Sequence, residues 1–228
     1  MGTLVLSVAP DRGAGARALV VDELVIAGWT GRDAAGVEAH IRELEALGVA
    51  RPTRTPIFYR VAAGLLTQAD TIQVVGADAT GEAEAVVVSS GGRLWVGVGS
   101  DHTDRRLEAL GVAKSKQVCA KPLGTSFWAF DEVVDHWDRL RLRSYLVGAG
   151  QRELYQDGEL GRNRTASDLI ERYAGTATLP EGTAMFCGTL PVHGTLRSAE
   201  GFELELLDPV LGRSIHHAYR TTVLQVVH

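Results

Sequence analysis

Short runs of β-forming hydrophobic residues dominate this chain from Thr71 onward, one of them alternating strictly with polar positions, and a helical period appears in only a few short stretches. Residues 3–8 (TLVLSV) and 18–27 (ALVVDELVIA) predict strands. From Asp33 to Leu47 the apolar residues Val37, Ile41, Leu44 and Leu47 recur at helical spacing, and Gly48 follows as a stop, so a helix is predicted there. RPTRTPIFYR, residues 51–60, reads as a proline-punctuated connector, and residues 61–66 are apolar without a resolved period. Beyond Thr71 the runs TIQVVGA, EAEAVVVS and GRLWVGVG predict short strands separated by glycine or small polar residues. DRRLEALG predicts a short helix ending at Gly111. RLRLRSYLV alternates strictly and turns through Gly148-Ala149-Gly150 into RELYQ, the pattern of a hairpin. TASDLIERY predicts a helix capped by Thr165, with Asp168 at its third position. TAMFCG, FELELL and SIHHAYRTTVLQVV close the chain as strands. The pattern predicts a β-rich α+β domain over residues 61–228, preceded by a small N-terminal portion over residues 1–60.

Composition narrows the class of function. A chain of 228 residues, 45% hydrophobic and 22% charged, has the make-up of a globular domain with a full core. A net charge of −5 argues against nucleic acid or an anionic membrane as partner. No apolar run reaches the roughly 20 residues that span a bilayer, and no charged segment followed by an apolar one opens the chain. A cytoplasmic protein is therefore expected. The two cysteines, Cys119 and Cys187, make neither a disulfide framework nor a metal cluster. Of the 23 basic residues only Lys114, Lys116 and Lys121 are lysine, and all three fall in AKSKQVCAKPLG. Either this is drift in an arginine-biased composition or the segment needs a compact ammonium that the planar guanidinium cannot replace.

Three groups of residues carry candidate chemistry. Glu82 and Glu84 stand two apart in a strand-like run, so both carboxylates share one face about 6–7 Å apart and suit a hard divalent cation. Glu203 and Glu205 repeat the spacing in FELELL, where it reads as the wet side of a strand with Phe202, Leu204 and Leu206 opposite. In GSDHTDRR, Asp101, His102 and Arg105 stand where a strand ends and a helix begins; Asp101 serves there either as a helix cap or as a metal ligand. His40 and Glu43 lie three apart on the first helix, either an ordinary polar face or a histidine oriented as a general base. A zinc site drawing on His102, His193, His216 or His217 is a separate reading, although no partner stands at ligand spacing.

These motifs occur in an order that resembles the fumarylacetoacetate hydrolase superfamily. LPEGTAMFCGTLPVHG resembles the superfamily's strand that ends in Gly-Thr-Pro and a glycine. ELYQDGELGRNRTASDLIERY resembles its stretch in which a glutamine precedes a small helix, and FELELLDPVLGRSIHHAY its closing strands. Glu82-Ala83-Glu84 matches E-x-E, SDHTDR matches D-x-T-x-R, and His40-Ile41-Arg42-Glu43 matches the H-x-x-E of a lid. The resemblance runs from about Val25 to the C-terminus, with three departures. Gly188 to Pro191 reads Gly-Thr-Leu-Pro, Pro56-Ile57-Phe58-Tyr59-Arg60 resembles the superfamily's proline, x, phenylalanine, x, lysine segment but ends in arginine, and the gap from Asp101 to the lysine segment is short.

The resemblance implies a mixed β-roll with a few short helices. It implies Mg²⁺ or Mn²⁺ (or Ca²⁺ in a crystal) bound by Glu82, Glu84 and Asp101. It also implies a small carboxylic acid substrate of the 2-oxo or 1,3-dicarbonyl kind, cleaved at a C–C bond by hydrolysis or decarboxylation, and a homodimer. Lys114 is expected to face the substrate, because Ala113-Lys114-Ser115 keeps the lysine-serine pair; Lys116, Arg105, Gln156 and Thr189 are expected as further substrate contacts. His40, oriented by Glu43, is expected to activate water. The competing class is a non-catalytic, metal-dependent ligand-binding protein of the same fold.

Overall fold

Two glycines set the geometry of the central hairpin. Gly91 and Gly92 have φ of +66° and +69°, left-handed at both central positions of a two-residue turn, which glycine adopts without strain. The flanking strands Ala83–Ser90 and Arg93–Ser100 then pair antiparallel, with Ser90 opposite Arg93 and Ala83 opposite Ser100. The computed structural model describes residues 4–10, 17–46, 48 and 50–227, and their side chains except at residues 4–10, 17, 40, 43 and 44.

This hairpin is the middle of an eight-stranded mixed sheet. Its spatial order is Arg17–Val21, Leu4–Pro10, Ser126–Ala129, Arg93–Ser100, Ala83–Ser90, Thr183–Thr189, Glu23–Gly28 and Ile57–Val61. A second sheet of five strands runs Gln151–Glu159, Arg141–Gly148, Gly201–Asp208, Arg213–Leu224 and Thr71–Val75. Alternation sorts the side chains into two cores. Ala83, Ala85 and Val87 pack with Leu142, Phe202, Leu204, Leu206 and Ile215 of the second sheet and with Leu169 and Ile170 of the helix Ala166–Ala174. Val86 and Val88, on the opposite face, share a core with Phe127 and Phe186. Leu19 and Val21 from one end of the sheet, and Val61 from the other, enter that same core, so the sheet curls into a roll. The α+β, β-rich class expected from the sequence is what the chain adopts.

Local chemistry explains most element boundaries. Thr165 caps its helix by accepting from the Asp168 amide at 3.1 Å, and Gly175, at φ +72°, ends it. Ala149 and Gly150, at φ +49° and +74°, close the hairpin between Arg141–Gly148 and Gln151–Glu159. Two expectations need correction. Residues 18–27 are two strands, because the amides of Asp22 and Glu23 both donate to the Gly182 carbonyl and bend the chain between them. The expected connector contains the strand Ile57–Val61, an edge strand paired with Glu23–Gly28; its prolines precede the pairing and cost it no ladder bond. The boundary expected after residue 60 falls inside this strand, and four of the eight strands come wholly or largely from the first 61 residues.

At the far end of the second sheet Asp208 ties three segments together. Its fully buried carboxylate accepts from the amides of Val210 and Leu211 at 3.0 and 3.1 Å, and it lies 3.0 Å from His136 Nε2 and 3.3 Å from Arg213 Nε. Burial alone would raise its pKa, but the Leu211 amide, His136 and Arg213 outweigh it and hold the group below its usual value. A depressed carboxylate stabilises the fold above its unfolded pKa, and that stability is lost as pH falls through the lower folded value. Asp208→Ala is expected to cost about 3 kcal/mol at pH 7, at the low end for a broken buried pair because Arg213 keeps Glu132 at 2.6 Å. Urea melts across pH check this: the gap between wild type and variant should hold through neutral pH and narrow only below about pH 4.

Candidate metal centre

The register of the central hairpin brings three carboxylates together. Continuing the ladder by one step past Ala83 and Ser100 sets Glu82 opposite Asp101, and the Asp101 amide donates to the Glu82 carbonyl at 2.9 Å. Glu84, two residues on, shares their face. One oxygen from each of Glu82, Glu84 and Asp101 lies within 4.8 Å of the others. Glu84 and Asp101 are 2% and 0% exposed, and Glu82 is half-buried. Glu203 and Glu205 have no such arrangement; they pair with Arg152 and Arg143 on the outer face of the second sheet.

Glu84 is fixed by a bulge. The strand Thr183–Thr189 shifts register against Ala83–Ser90 between Phe186 and Thr189, and Gly188, at φ +97°, turns its amide onto Glu84 Oε2 at 2.6 Å. Thr30 crowds this glycine, since a Cβ there would lie 1.9 Å from its hydroxyl. Burial, and then the neighbouring Asp101, push the Glu84 carboxyl well above its usual pKa.

Three cations compensate the cluster. Lys116, on the helix Val112–Gln117, donates to Asp101 Oδ2 and lies 3.6 Å from Glu82 Oε2. Lys121 is fully buried, donates to the His102 carbonyl and lies 3.0 Å from Asp101 Oδ1. Burial would raise the Asp101 pKa, but the two lysines hold it below the usual carboxylate range. Lys116 is raised despite its burial, because Asp101 and Glu82 face it. Lys121 is lowered, first by burial, with Lys116 adding to the effect. Arg105 opens the helix Arg105–Glu108, pairs with Glu82 at 2.9 Å and Glu108 at 3.0 Å, and donates from Nε to Thr80 at 2.7 Å.

Lys116, rather than the expected Lys114, stands among the carboxylates. Lys114 is exposed on the outer side of the same short helix, since two residues turn a helix by more than half a revolution. Asp101 does not cap the following helix; Asp104 does, accepting from the Leu107 amide at 2.9 Å. Gln156 and Thr189 lie beside the cluster but are occupied. Gln156 donates to Thr189 Oγ1 and the Leu190 carbonyl at 2.7 and 2.6 Å, and accepts from the Ala83 amide and Ser144. Thr189 donates to the Ala83 carbonyl at 2.9 Å. Both residues therefore clamp the bulge to the E-x-E strand. Arg60 points away, to Glu23 and Tyr173. His40 and Glu43 fall on the helix Ala34–Ala46, but their side chains lie outside those described. Among the described residues no histidine joins a metal-binding group; His102 is held neutral at about pKa 3 by burial and then by Lys121 and Arg105, and His193 and His216 are exposed. The residue that sequence reasoning left without a role is Lys121, although its place in the only lysine cluster marked it.

The donor set fits a hard divalent cation. Oxygens bound to one ion at 2.0–2.6 Å lie at most about 4–5 Å apart. A buried carboxyl with only one amide partner and a raised pKa is a ligand short of positive charge. Glu82, Glu84 and Asp101 would hold the ion.

Comparison with known proteins places this geometry. The family described as protein of unknown function (DUF2848) matches residues 27–219. No curated protein sequence is a significant match. Among solved structures, 2-keto-3-deoxy-D-arabinonate dehydratase complexed with magnesium and 2,5-dioxopentanoate is similar at a TM-score of 0.63 and 16% identity, covering 94% of this chain and 79% of that one. A yeast fumarylacetoacetate hydrolase family protein, ynq8, is similar at 0.62 and 12%, covering 89% and 93%. The 4-oxalocrotonate decarboxylase of Pseudomonas putida G7, complexed with magnesium and adipate, is similar at 0.57 and 15%, covering 89% and 78%. The chain belongs to the DUF2848 family and has the fold of the fumarylacetoacetate hydrolase superfamily.

Proposed function

We propose that this chain is a Mg²⁺- or Mn²⁺-dependent enzyme that acts on a small 2-oxo or 1,3-dicarbonyl acid and breaks a C–C bond by hydrolysis or decarboxylation. The observation that carries the reading is the convergence of Glu82, Glu84 and Asp101 within 4.8 Å. Support comes from the fold: two similar structures, the dehydratase and the decarboxylase, hold magnesium together with an organic acid or a related compound. When bound, the cation would polarise the substrate's oxygens and stabilise developing negative charge.

The chain's own residues supply the rest. Lys116 now balances Asp101 and Glu82; with a cation present its ammonium is free to meet a substrate carboxylate. Tyr59, whose ring centroid lies 5.9 Å from Lys116 Nζ, forms an adjoining wall with Trp29, whose indole donates to its hydroxyl at 3.4 Å. Arg105 is committed to Glu82 and Glu108, so its role in this proposal is to orient Glu82. His40, oriented by Glu43, remains the proposed activator of water. A homodimer in the cytoplasm completes the proposal; no described helix is long and apolar enough to cross a membrane.

Calorimetry with Mg²⁺ or Mn²⁺ tests the metal. Glu84→Ala should abolish binding and Glu205→Ala should leave it intact; equal binding by wild type and Glu84→Ala would sink the reading.

Oxalate, which presents two adjacent carboxylate oxygens, tests the substrate class. At about 100 times its dissociation constant a ligand stabilises the native state by about 2.7 kcal/mol, a melting shift of roughly 5–10 °C for a chain of this size. Thermal melts with Mg²⁺, with oxalate and with both should show that shift only with both. Lys116→Met should shrink it and Lys114→Met should not. An equal oxalate shift with and without metal would replace the chelate by a plain anion site.

A further inference from the structure

Tyr219 lies on the strand Arg213–Leu224, in the second sheet, and touches none of the three carboxylates, yet its hydroxyl is the point where both ligand-bearing segments meet. The side chain is 2% exposed, and its ring stacks on Phe202 with centroids 5.4 Å apart. The hydroxyl lies 2.9 Å from His102 Nδ1 and donates to Ser100 Oγ at 2.8 Å. Because its single hydrogen goes to Ser100, the bond with His102 is donated by Nδ1–H. Ser100 Oγ in turn accepts from the Glu82 amide at 3.2 Å. The residues on either side of Asp101, and the backbone of Glu82, are thus tied to one oxygen atom.

A second observation comes from the other side of Glu82. A Cβ at Gly81 would lie 2.6 Å from the Tyr219 oxygen and 2.8 Å from Phe202 Cδ1. The chain immediately before Glu82 therefore rests directly on the Tyr219–Phe202 pair, an approach only glycine permits.

We infer that Tyr219 is a positioning residue for the acidic cluster, fixing from the second sheet the spacing between Glu82 and Asp101. The inference rests on the metal reading above and extends it to a residue outside the ligand shell. Three carboxylates hold a small cation well only if their oxygens are already close, because free side chains would repel one another apart. Partners that orient ligands in this way are commonly worth 10–100-fold in metal affinity.

The experiment is Mn²⁺ titration by calorimetry on wild type, Tyr219→Phe, Ser100→Ala and Tyr155→Phe. Tyr219→Phe keeps the ring and its stacking but loses the shared oxygen; Ser100→Ala cuts the link to Glu82 by a smaller change and serves if the tyrosine variant does not fold. Tyr155 is equally buried in the same core, and its hydroxyl accepts from the Arg197 amide at 3.2 Å and, among the described residues, is hydrogen-bonded neither to Ser100 or His102 nor to any of the three carboxylates. Melts of the metal-free proteins report stability separately. Tyr219→Phe and Ser100→Ala should bind Mn²⁺ about 10–100-fold more weakly, whereas Tyr155→Phe should bind as wild type does even where its melting temperature falls. Unchanged binding in Tyr219→Phe overturns the inference and leaves the metal reading standing. An equal loss in Tyr155→Phe also overturns it, since general loosening would then be the cause. No binding by the wild type overturns the metal reading, and this inference with it.

Discussion

Burying a carboxylate without a partner costs several kcal/mol, and this chain buries two and part of a third at one point. Most of what surrounds that point answers the electrostatic problem. Asp101 is met by Lys116 and Lys121, Glu82 by Arg105 and Lys116, and Glu84 by the Gly188 amide. The compensation is unequal. Glu84, set against the apolar core that holds Val86 and Phe186, has no cation of its own, and its raised pKa records that deficit. A charged ligand entering beside Glu84 would relieve a cost already present in the fold, which is why its chemistry should be that of a cation.

The choice of lysine within an arginine-rich chain follows from the same constraint. Arg105 sits at the partly open edge of the cluster, where a planar fork can divide its donors between Glu82, Glu108 and Thr80. Lys121 is enclosed and has two acceptors, the His102 carbonyl and Asp101. A compact ammonium fits that space; a guanidinium would bring five donors into a place with partners for two. The lysine cluster was therefore visible in composition, but its assignment was not. Ala113-Lys114-Ser115 pointed to Lys114, whereas Lys116 is the one beside the carboxylates, because a motif pair carries no information about which side of a six-residue helix faces inward.

Other features divide in the same way. The metal candidates were legible from the E-x-E spacing and the family resemblance; the Gly-Gly turn, whose register with Gly91 and Gly92 at its centre sets Asp101 opposite Glu82, explains why they meet. The Thr165 cap and the hairpin at Ala149-Gly150 were legible for similar local reasons. The break at Asp22 was not, because the carbonyl that causes it belongs to Gly182, far along the chain. The strand Ile57–Val61 was hidden by prolines whose effect ends one residue before the pairing starts. Gln156 and Thr189 were expected as substrate contacts, but their hydrogen bonds, which make them clamps on the bulge, depend on tertiary partners that no spacing reveals.

These occupied residues bear on how such a site can diversify. The cluster depends on the first sheet for its ligands and on the bulge at Gly188 for the set of Glu84. Gln156 ties that bulge, through Thr189 and Leu190, to Ala83 and Ser144, so on the proposed reading changing it should disturb metal binding first. The cations have different freedom. Arg105 also has Glu108 and Thr80, and Lys121 the His102 carbonyl, as partners outside the three carboxylates, whereas Lys116 faces Asp101 and Glu82 and duplicates part of the charge a metal would bring. Lys116 is thus the one cation of the three that metal binding would leave underused. On the proposed reading, substrate recognition would fall to Lys116 and to Tyr59 and Trp29 beside it, which are not among the three carboxylates.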